Sequence, residues 1–366
     1  MNLLKHLEIV PDPRNDINKK HNLIDVVFLT LSVVLSGASG WKSIQEFGDL
    51  QLDWLRKHRK FENGIPKRHC IANIIKSLNS ELLITALINW INEKREIKGR
   101  TILAIDGKTM RSAWDDDVKK AVHVVSAFDV NNGVALYQEA TDRKGKEAEV
   151  ARQVIDALAL KNTVVTLDAL HCEKATMNKV IEQKGDFLIQ LKRNRKELYE
   201  TVTQVFKGLN RNSHQQRHEE KTKAHGREES RVVTQIPSNF DDNIKSKWSH
   251  VRTLIKVVSE RRIKNELTSG SRYYVSSLEC DVEEMARTIR SHWAIENNLH
   301  WVLDVTFRED QLKIKDPDGA KHLGLFNRVA LGIIKQHQGK KDSMIAKRRQ
   351  AAWSSKYRTE LIFGEK

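Results

Sequence analysis

The chain has few cysteines and few prolines. Its 3 cysteines, Cys70, Cys172 and Cys280, lie far apart and form no Cys-x-x-Cys pair. This excludes a disulfide framework and a thiolate zinc site, and it is typical of a protein in a reducing cytoplasm. Only 5 prolines occur in 366 residues, and 39% of the residues are hydrophobic. Together these values indicate a folded, helix-rich protein rather than a disordered one.

The sequence also lacks a long hydrophobic run. The most apolar stretch, Leu23 to Leu35, contains Asp25 and is shorter than the about 20 residues that a membrane span requires. The start of the chain, MNLLKHLEIVPDPRND, carries charges within its apolar run and no small-residue cleavage site, which argues against a signal peptide. We therefore expect Leu23 to Leu35 to form a buried helix, capped by Asn22 or Asp25.

Positive charge is present in excess. The formal net charge is +15, and Lys and Arg are distributed along the whole chain. A polyanionic partner is therefore expected, with nucleic acid favoured over an anionic membrane surface, because the basic residues are not gathered on one amphipathic helix. The length predicts two or three domains.

The predicted organisation has three parts. Residues 1–95 are expected to form an all-helical N-terminal domain for DNA binding or assembly. Residues 96–310 predict a mixed α/β sheet domain, interrupted at about 209–280 by a β-rich insertion. Residues 311–366 predict a basic helical C-terminal segment. The basic turn Arg56–Arg68, near Trp54 and Phe61, suits phosphate contact and base stacking, although a solvated charge run between helices explains it equally well.

The central part of the chain alternates between strand and helix signals. The apolar runs Thr101–Asp106 and Thr163–Asp168 each end in an acid, and Asn131-Asn132-Gly133 predicts a hairpin between two β-rich stretches. The order is three strands able to pair antiparallel, then helix, strand, helix and strand. This is the order of a ribonuclease-H-like mixed α/β fold.

Three acids are candidates for the active site. Asp106 and Asp168 end predicted strands, where open α/β sheets place their ligand sites. The stretch Ile289–Asp310 predicts a helix with Glu296 on one face, His292 four residues before it and His300 four residues after it. Each acid also has an ordinary explanation, because an Asp that closes a strand often caps the next turn. Asp304 and Asp310 compete with Glu296 as the third acid.

Three carboxylates on separate elements can hold two divalent cations, which suits phosphodiester hydrolysis and transesterification. Oxygen donors without thiolates favour Mg²⁺ or Mn²⁺ over zinc.

Several basic residues are candidate DNA contacts. Lys108 and Arg111 follow Asp106, and Lys192, Arg193 and Arg195 follow a predicted strand. Each can also be an ordinary surface charge. Cys172 and Trp248 can be interpreted as a metal ligand and a base-stacking residue, but burial in the core is the more economical explanation of both.

The motifs LAIDGKTMR, HVVSAF, VVTLDALHC, HGREESR and IRSHWAIENNLHWVLDVTFRED occur in this order. With the N-terminal stretch NLIDVVFLTLSVVLSGASGWKSIQEFGD, they resemble the ISAs1 family of insertion-sequence transposases, which includes the H-repeat-associated proteins and is similar to the IS4 group. The resemblance implies a ribonuclease-H-like DDE core with a β insertion before the glutamate helix. It also implies Asp106, Asp168 and Glu296 as catalytic and metal-binding residues. The expected activity is cleavage of double-stranded DNA at terminal inverted repeats and strand transfer into target DNA, by a cytoplasmic, nucleoid-associated homodimer.

The sequence departs from the broader IS4-type signature, which expects Tyr, Arg, Glu and Lys at set spacing. Those positions hold Ile289, His292, Glu296 and Leu303, so only the glutamate is retained. Arg290, His292 and His300 are the candidates to take over contacts with the terminal phosphate. Two alternatives to an active transposase remain at this stage: a catalytically silent, domesticated DNA-binding protein, and a ribonuclease-H-like nuclease without strand transfer.

Overall fold

A computed structural model describes residues 3–93, 99–110, 122–141, 146–209, 214–224, 227–264, 266–312, 314, 316–339 and 341–364. The chain divides into two compact units. The helical unit comprises Met1–Glu96, Gly107–Lys144 and Glu296–Lys366. The sheet unit comprises Ile97–Asp106 and Gly145–Ile295.

The helical unit is built mainly from helices at both ends of the chain. Its helices are α1 (Leu3–Leu7), α2 (Leu23–Leu35), α3 (Trp41–Leu50), α4 (Leu52–Arg56), α5 (Arg68–Lys76), α6 (Ser80–Glu93), α12 (Trp301–Val305), α13 (Pro317–Gln336), α14 (Met344–Trp353) and α15 (Ser355–Phe363). Strands β2 (Val122–Asp129) and β3 (Val134–Thr141) form an antiparallel hairpin. Gly133 closes it with a φ of 69°, as the Asn-Asn-Gly motif predicts. Strand β1 (Thr101–Met110) is the neighbour of β2, and its residues from Gly107 on belong to this unit.

The predicted helix Leu23–Leu35 is confirmed. Asn22, not Asp25, caps it: the Asn22 side chain accepts hydrogen bonds from the backbone N–H groups of Ile24 and Asp25. All but one of the helix residues are buried, including Asp25, which binds Arg59 at 2.8 Å. Among the described residues no single helix is long and apolar enough to cross a membrane. One pair, Arg68–Lys76 with Ser80–Leu87, meets the criterion only when two helices bent by 92° are counted together.

Helix α13 organises the helical unit. Asp316 caps it by accepting a hydrogen bond from the Gly319 N–H at 2.8 Å, and Pro317 occupies the first turn, where its missing N–H costs nothing. The helix is buried along most of its length and packs against α2, α5, α6 and β3. The N-terminal helices therefore share one compact unit with the C-terminal helices, whereas the sequence suggested separate regions. The functional division into three domains stays a prediction.

The sheet unit contains the first half of β1, β4 (Thr163–Leu167), β5 (Asp186–Leu191), β6 (Gln216–Ala224), β7 (Arg227–Pro237), β8 (Thr253–Ile263) and β9 (Glu266–Ser276). Its helices are α7 (Glu147–Asp156), α8 (Lys174–Glu182), α9 (Lys196–Gly208), α10 (Asp242–Lys247) and α11 (Val282–His292). The strand order is β1-β4-β5-β9-β8-β7-β6, with β1, β4 and β5 parallel and the rest antiparallel. The predicted mixed α/β architecture is confirmed.

The β-rich insertion extends the sheet rather than standing apart, because β9 pairs with β5. Strand β6 was not predicted, since its sequence QRHEEKTKA is polar throughout and its side chains are largely exposed. Helix α11 covers the sheet with an apolar stripe that includes Val282, Met285 and Ile289, which pack into the core formed with residues of β4, β5, β7, β8 and β9.

Candidate active site

Asp106 and Asp168 occupy equivalent positions on neighbouring strands. In the sheet unit β1 and β4 are parallel, with Ile105 opposite Leu167. Each Asp is the next residue after this pair, and adjacent strands lie about 4.8 Å apart, so the two acids are neighbours. Asp168 follows the end of β4, as predicted. The prediction that β1 ends at Asp106 is wrong, because β1 continues to Met110.

A buried histidine lies behind Asp168. His171, on a short 3₁₀ turn, is fully buried, and its Nε2 is 3.7 Å from Asp168 Oδ1 and 3.9 Å from Glu147 Oε1. Burial lowers the pKa of His171 below its usual value, although Asp168, Glu147 and Glu173 act in the opposite direction. The His171 ring therefore packs behind Asp168 and Glu147 at distances longer than a hydrogen bond.

The loop that follows Asp168 is held by side chains from the segment after β5. Asn194 Nδ2 donates to the carbonyl of Ala169 at 2.7 Å. Arg195 donates to the carbonyl of Cys172 and pairs with Glu173 at 2.6 Å. The Arg195 guanidinium is therefore engaged in fixing the Asp168 loop, and its contact with DNA stays a prediction.

The neighbouring cations Lys192 and Arg193 differ from Arg195, because both side chains are exposed. They follow β5, whose carboxyl end lies at the same sheet edge as that of β4. Their role as DNA contacts stays a prediction.

Two of the candidate phosphate ligands have structural partners in the sheet unit. His292, the last residue of α11, makes a 2.9 Å hydrogen bond between its Nδ1 and Thr166 Oγ1 on β4. Arg290 pairs with Glu220 of β6 at 2.6 Å, and both side chains are about half exposed. His292 therefore fixes α11 on the strand that leads to Asp168, whereas Arg290 stays within reach of a ligand.

Glu296 is presented by a π turn. The helix predicted around Glu296 is present but irregular: α11 ends at His292, a single turn residue lies at Trp293, and after Ala294 and Ile295 the residues Glu296–His300 form a π-helical turn before α12. Such turns are rare and frequently occur at functional sites. The Glu296 side chain is 53% exposed, whereas that of His300 is buried, and His300 Nδ1 lies 3.5 Å from Glu296 Oε2.

Helix α13 supports this π turn. Lys335 Nζ donates to the Asn298 carbonyl at 3.0 Å and lies 5.3 Å from the centre of the Phe128 ring. Burial lowers the pKa of Lys335 to about 8. The lysine thus ties the widened turn to the packed interior of the helical unit.

Lys108 is a buried member of an ion cluster in the helical unit. It is 7% exposed and lies 2.7 Å from Asp304, 3.2 Å from Asp310 and 3.6 Å from Glu309. Burial alone disfavours its charge, but Glu309, Asp304 and Asp310 raise its pKa above the usual value. Lys108 is thus engaged with three carboxylates in this structure, and its contact with phosphate stays a prediction.

The same ion cluster contains the two other candidates for the third acid of the site. Asp304 and Asp310 bind Lys108, and the fully buried Glu309 also pairs with Arg328 at 2.8 Å. The sequence analysis missed Glu309 and Arg328. The only signal was the local charge pattern Arg308-Glu309-Asp310, which does not distinguish a buried ion pair from a solvated one.

The remaining candidate residues are either buried or fall outside the described residues. Arg111 falls outside the described residues. Trp54, Phe61 and Trp248 are at most 9% exposed, which contradicts base stacking by these rings. Cys172 is fully buried, and burial raises the pKa of its thiol to about 12, as expected of a core residue.

All three candidate acids offer oxygen donors. Asp106 and Asp168 lie at equivalent backbone positions in the sheet unit, and Glu296 carries a half-exposed carboxylate in the helical unit. Carboxylate oxygens are the ligands that Mg²⁺ and Mn²⁺ prefer.

Protein-family models match both the N-terminal and the central part of this sequence. Residues 4–91 match the family described as DDE_Tnp_1-associated, and residues 97–331 match the family described as Transposase DDE domain. The chain is 34% identical to "Putative transposase YncI" of Escherichia coli O157:H7, over 98% of this chain and 94% of that protein. It is 33% identical to "H repeat-associated putative transposase YhhI" of Escherichia coli strain K12, over 99% of this chain and 98% of that protein.

Among solved structures, the cryo-EM structure of the piggyBac transposase synaptic complex with hairpin DNA aligns with 96% of this chain and 75% of that chain, at 11% identity and a TM-score of 0.46. The family match over residues 97–331 covers more than half of the chain and includes all three candidate acids. The resemblance inferred from the motifs is confirmed: the chain belongs to the Transposase DDE domain family, as an IS4-like DDE transposase.

Proposed function

We propose that the protein cleaves double-stranded DNA at the ends of an insertion sequence of the ISAs1 type and joins the released 3′-hydroxyl to target DNA. The observation that supports this most directly is the pairing of β1 with β4, which makes Asp106 and Asp168 neighbours within the family's catalytic region. The family supplies the reaction class, and the ribonuclease-H-like fold is part of this proposal.

We propose that Asp106, Asp168 and Glu296 hold two divalent cations, Mg²⁺ with Mn²⁺ as an alternative. When bound, such ions lower the pKa of an attacking hydroxyl and stabilise the leaving oxygen of an in-line phosphoryl transfer. The chain's own contribution is to fix the carboxylates. Asn194 and Arg195 hold the loop after Asp168, and the π turn with Lys335 holds the segment of Glu296.

We propose terminal inverted repeats and target DNA as the partners, bound by a homodimer. The net charge of +15 and the exposed Lys192 and Arg193 at the carboxyl edge of β5 support binding to a phosphate backbone. The N-terminal helices and the β-rich insertion are the regions proposed to hold the element ends.

The test uses a plasmid that carries the gene with its own flanking DNA. Glu296→Gln is expected to abolish Mg²⁺-dependent cleavage while DNA binding is retained, because the amide keeps the shape but loses the charge that holds a cation. Glu283→Gln, an exposed acid of α11, is the matched control and should cleave like the unaltered protein. Unchanged cleavage by Glu296→Gln would remove Glu296 from the mechanism.

The same assay separates the alternatives. A pre-cleaved element end offered with target plasmid should yield joined product. Cleavage without joining would identify a nuclease, and DNA binding without cleavage would identify a catalytically silent DNA-binding protein.

A further inference from the structure

The π turn brings a histidine and the third acid together within the helical unit. His300 Nδ1 and Glu296 Oε2 are 3.5 Å apart, and both residues belong to this single turn. The sequence suggested His300 as a phosphate contact, but the residue is only 5% exposed, which leaves little surface for a DNA backbone. Its Nδ1 faces the carboxylate instead.

The separation suits two ligands of one cation. A charge-assisted hydrogen bond between nitrogen and carboxylate oxygen normally measures about 2.7–2.9 Å. Two donors that each lie about 2.1 Å from a shared cation are about 3.0–3.4 Å apart, depending on the bond angle. The observed 3.5 Å is close to the second range and well outside the first.

The two side chains also differ in a way that suits capture of an ion. Glu296 is 53% exposed, so a hydrated cation can reach its oxygens from solvent. His300 is held behind it, because His300 itself and the preceding Leu299 are buried and Lys335 fixes the turn through Asn298. A fixed nitrogen donor behind an accessible carboxylate adds selectivity at little further cost in conformational entropy.

We propose that His300 is an additional, nitrogen ligand of the divalent cation bound by Glu296. The inference rests on the proposed function, because it assigns a further ligand to the same catalytic ion. Imidazole nitrogen binds Mn²⁺ and the later transition metals better than it binds Mg²⁺. The site should therefore prefer Mn²⁺ over Mg²⁺ more strongly than three carboxylates would.

The test measures the ligand directly, without DNA and without turnover. Mn²⁺ is added to the full-length protein, its affinity is measured by calorimetry, and electron spin echo modulation detects nitrogen-14 bonded to the ion. The unaltered protein is expected to show the nitrogen signal. His300→Ala should lose the signal and bind Mn²⁺ about tenfold or more weakly, the lower end of the loss seen when groups around a metal ligand are removed.

Three further variants make the outcome decisive. His69→Ala, at the exposed start of α5, is the matched control and should keep the signal. His171→Ala removes the imidazole beside Asp168, and loss of the signal there but not in His300→Ala would overturn the proposal. His300→Asn retains a polar side chain, so it tests the nitrogen ligand should His300→Ala fail to fold; it should lose the signal and the preference for Mn²⁺.

The proposal and the proposed function fail in different ways. Mn²⁺ bound without a nitrogen signal, in a protein that still cleaves DNA, would overturn the role of His300 and leave the transposase intact. A protein that neither binds Mn²⁺ nor cleaves DNA would overturn both.

Discussion

At the scale of single residues, several basic side chains serve the interior of the protein. Arg348 donates to the Val34 carbonyl at 2.7 Å and lies 4.0 Å from the Phe307 ring centre, and burial lowers its pKa to about 10. Arg358 stacks over Trp54 at 4.0 Å. Lys108 and Arg195 belong to the same group. A basic sequence therefore overstates the charge available to DNA, because part of it is used for packing and internal ion pairs.

A substitution of Lys108 tests whether its charge stabilises the protein interior or binds DNA. Lys108→Met leaves Asp304, Glu309 and Asp310 around an apolar side chain. Removing one partner of a buried ion cluster typically costs about 3–5 kcal/mol, so the free energy of unfolding should fall by roughly that amount. Urea denaturation measures the change.

Lys192→Met is the matched control, because Lys192 is exposed. It should change the free energy of unfolding by less than about 0.5 kcal/mol. A Lys108→Met protein that is as stable as the unaltered one but binds DNA more weakly would contradict the structural role and restore the phosphate contact.

At the scale of secondary structure, the sequence predicted most elements but not their irregularities. Helices with one apolar face and strands with apolar runs were identified because burial imposes their period. Strand β6 lacks this apolar period because it is polar on both faces. At Glu296 the apolar period cannot distinguish a π turn from an α-helix. The turn depends on tertiary contacts, such as the hydrogen bond from Lys335 to the Asn298 carbonyl.

The candidate site was likewise predicted from the sequence only in part. Asp106 and Asp168 were identified from apolar runs that end in an acid, and the parallel pairing of β1 with β4 makes them neighbours. Glu296 was chosen over Asp304 and Asp310 with the help of the family resemblance. The ion cluster that engages those two acids could not be predicted, because it joins Lys108 to residues about 200 positions away in sequence.

The contact between α6 and α13 predicts a pH dependence. His322 is 1% exposed, and its Nε2 lies 2.8 Å from Ser80 Oγ. Burial and Lys321 lower its pKa below 6.5, whereas a backbone hydrogen bond to Ile75 and the carboxylates Asp316 and Asp318 act in the opposite direction. Below pH 6.5 the unfolded chain binds a proton at this position before the folded chain does, so stability should fall as the pH decreases through this window.

His322→Gln removes the titrating group and keeps a polar side chain. The variant should lose less stability than the unaltered protein between pH 7.5 and pH 5.5 in urea denaturation. The exposed His69→Gln should follow the unaltered protein. Equal pH dependence in His322→Gln and the unaltered protein would show that His322 does not link α6 to α13 in its neutral form.

At the scale of the whole molecule, DNA binding depends more on where the exposed positive charges lie than on the net charge. In the sheet unit, the parallel strands β4 and β5 end at one edge, where Asp168 lies and where Asp106 holds the equivalent position on β1. Lys192 and Arg193 follow β5 and are exposed, whereas Arg195 is engaged with Glu173. Exposed cations next to the acids can hold a phosphate backbone there, since each neutralised phosphate releases counterions into solution.

This arrangement predicts a specific change in the salt dependence of DNA binding. Each phosphate contact adds about 0.9 to the slope of log affinity against log salt concentration. The double variant Lys192→Ala/Arg193→Ala should therefore lower the magnitude of that slope by up to about 2, measured by fluorescence anisotropy with a labelled duplex between 50 and 200 mM salt. Arg195→Ala is the matched control: it should lower thermal stability and cleavage, because it frees the loop after Asp168, but leave the slope close to that of the unaltered protein. An unchanged slope in the double variant, or an equal change in Arg195→Ala, would place the DNA elsewhere on the protein.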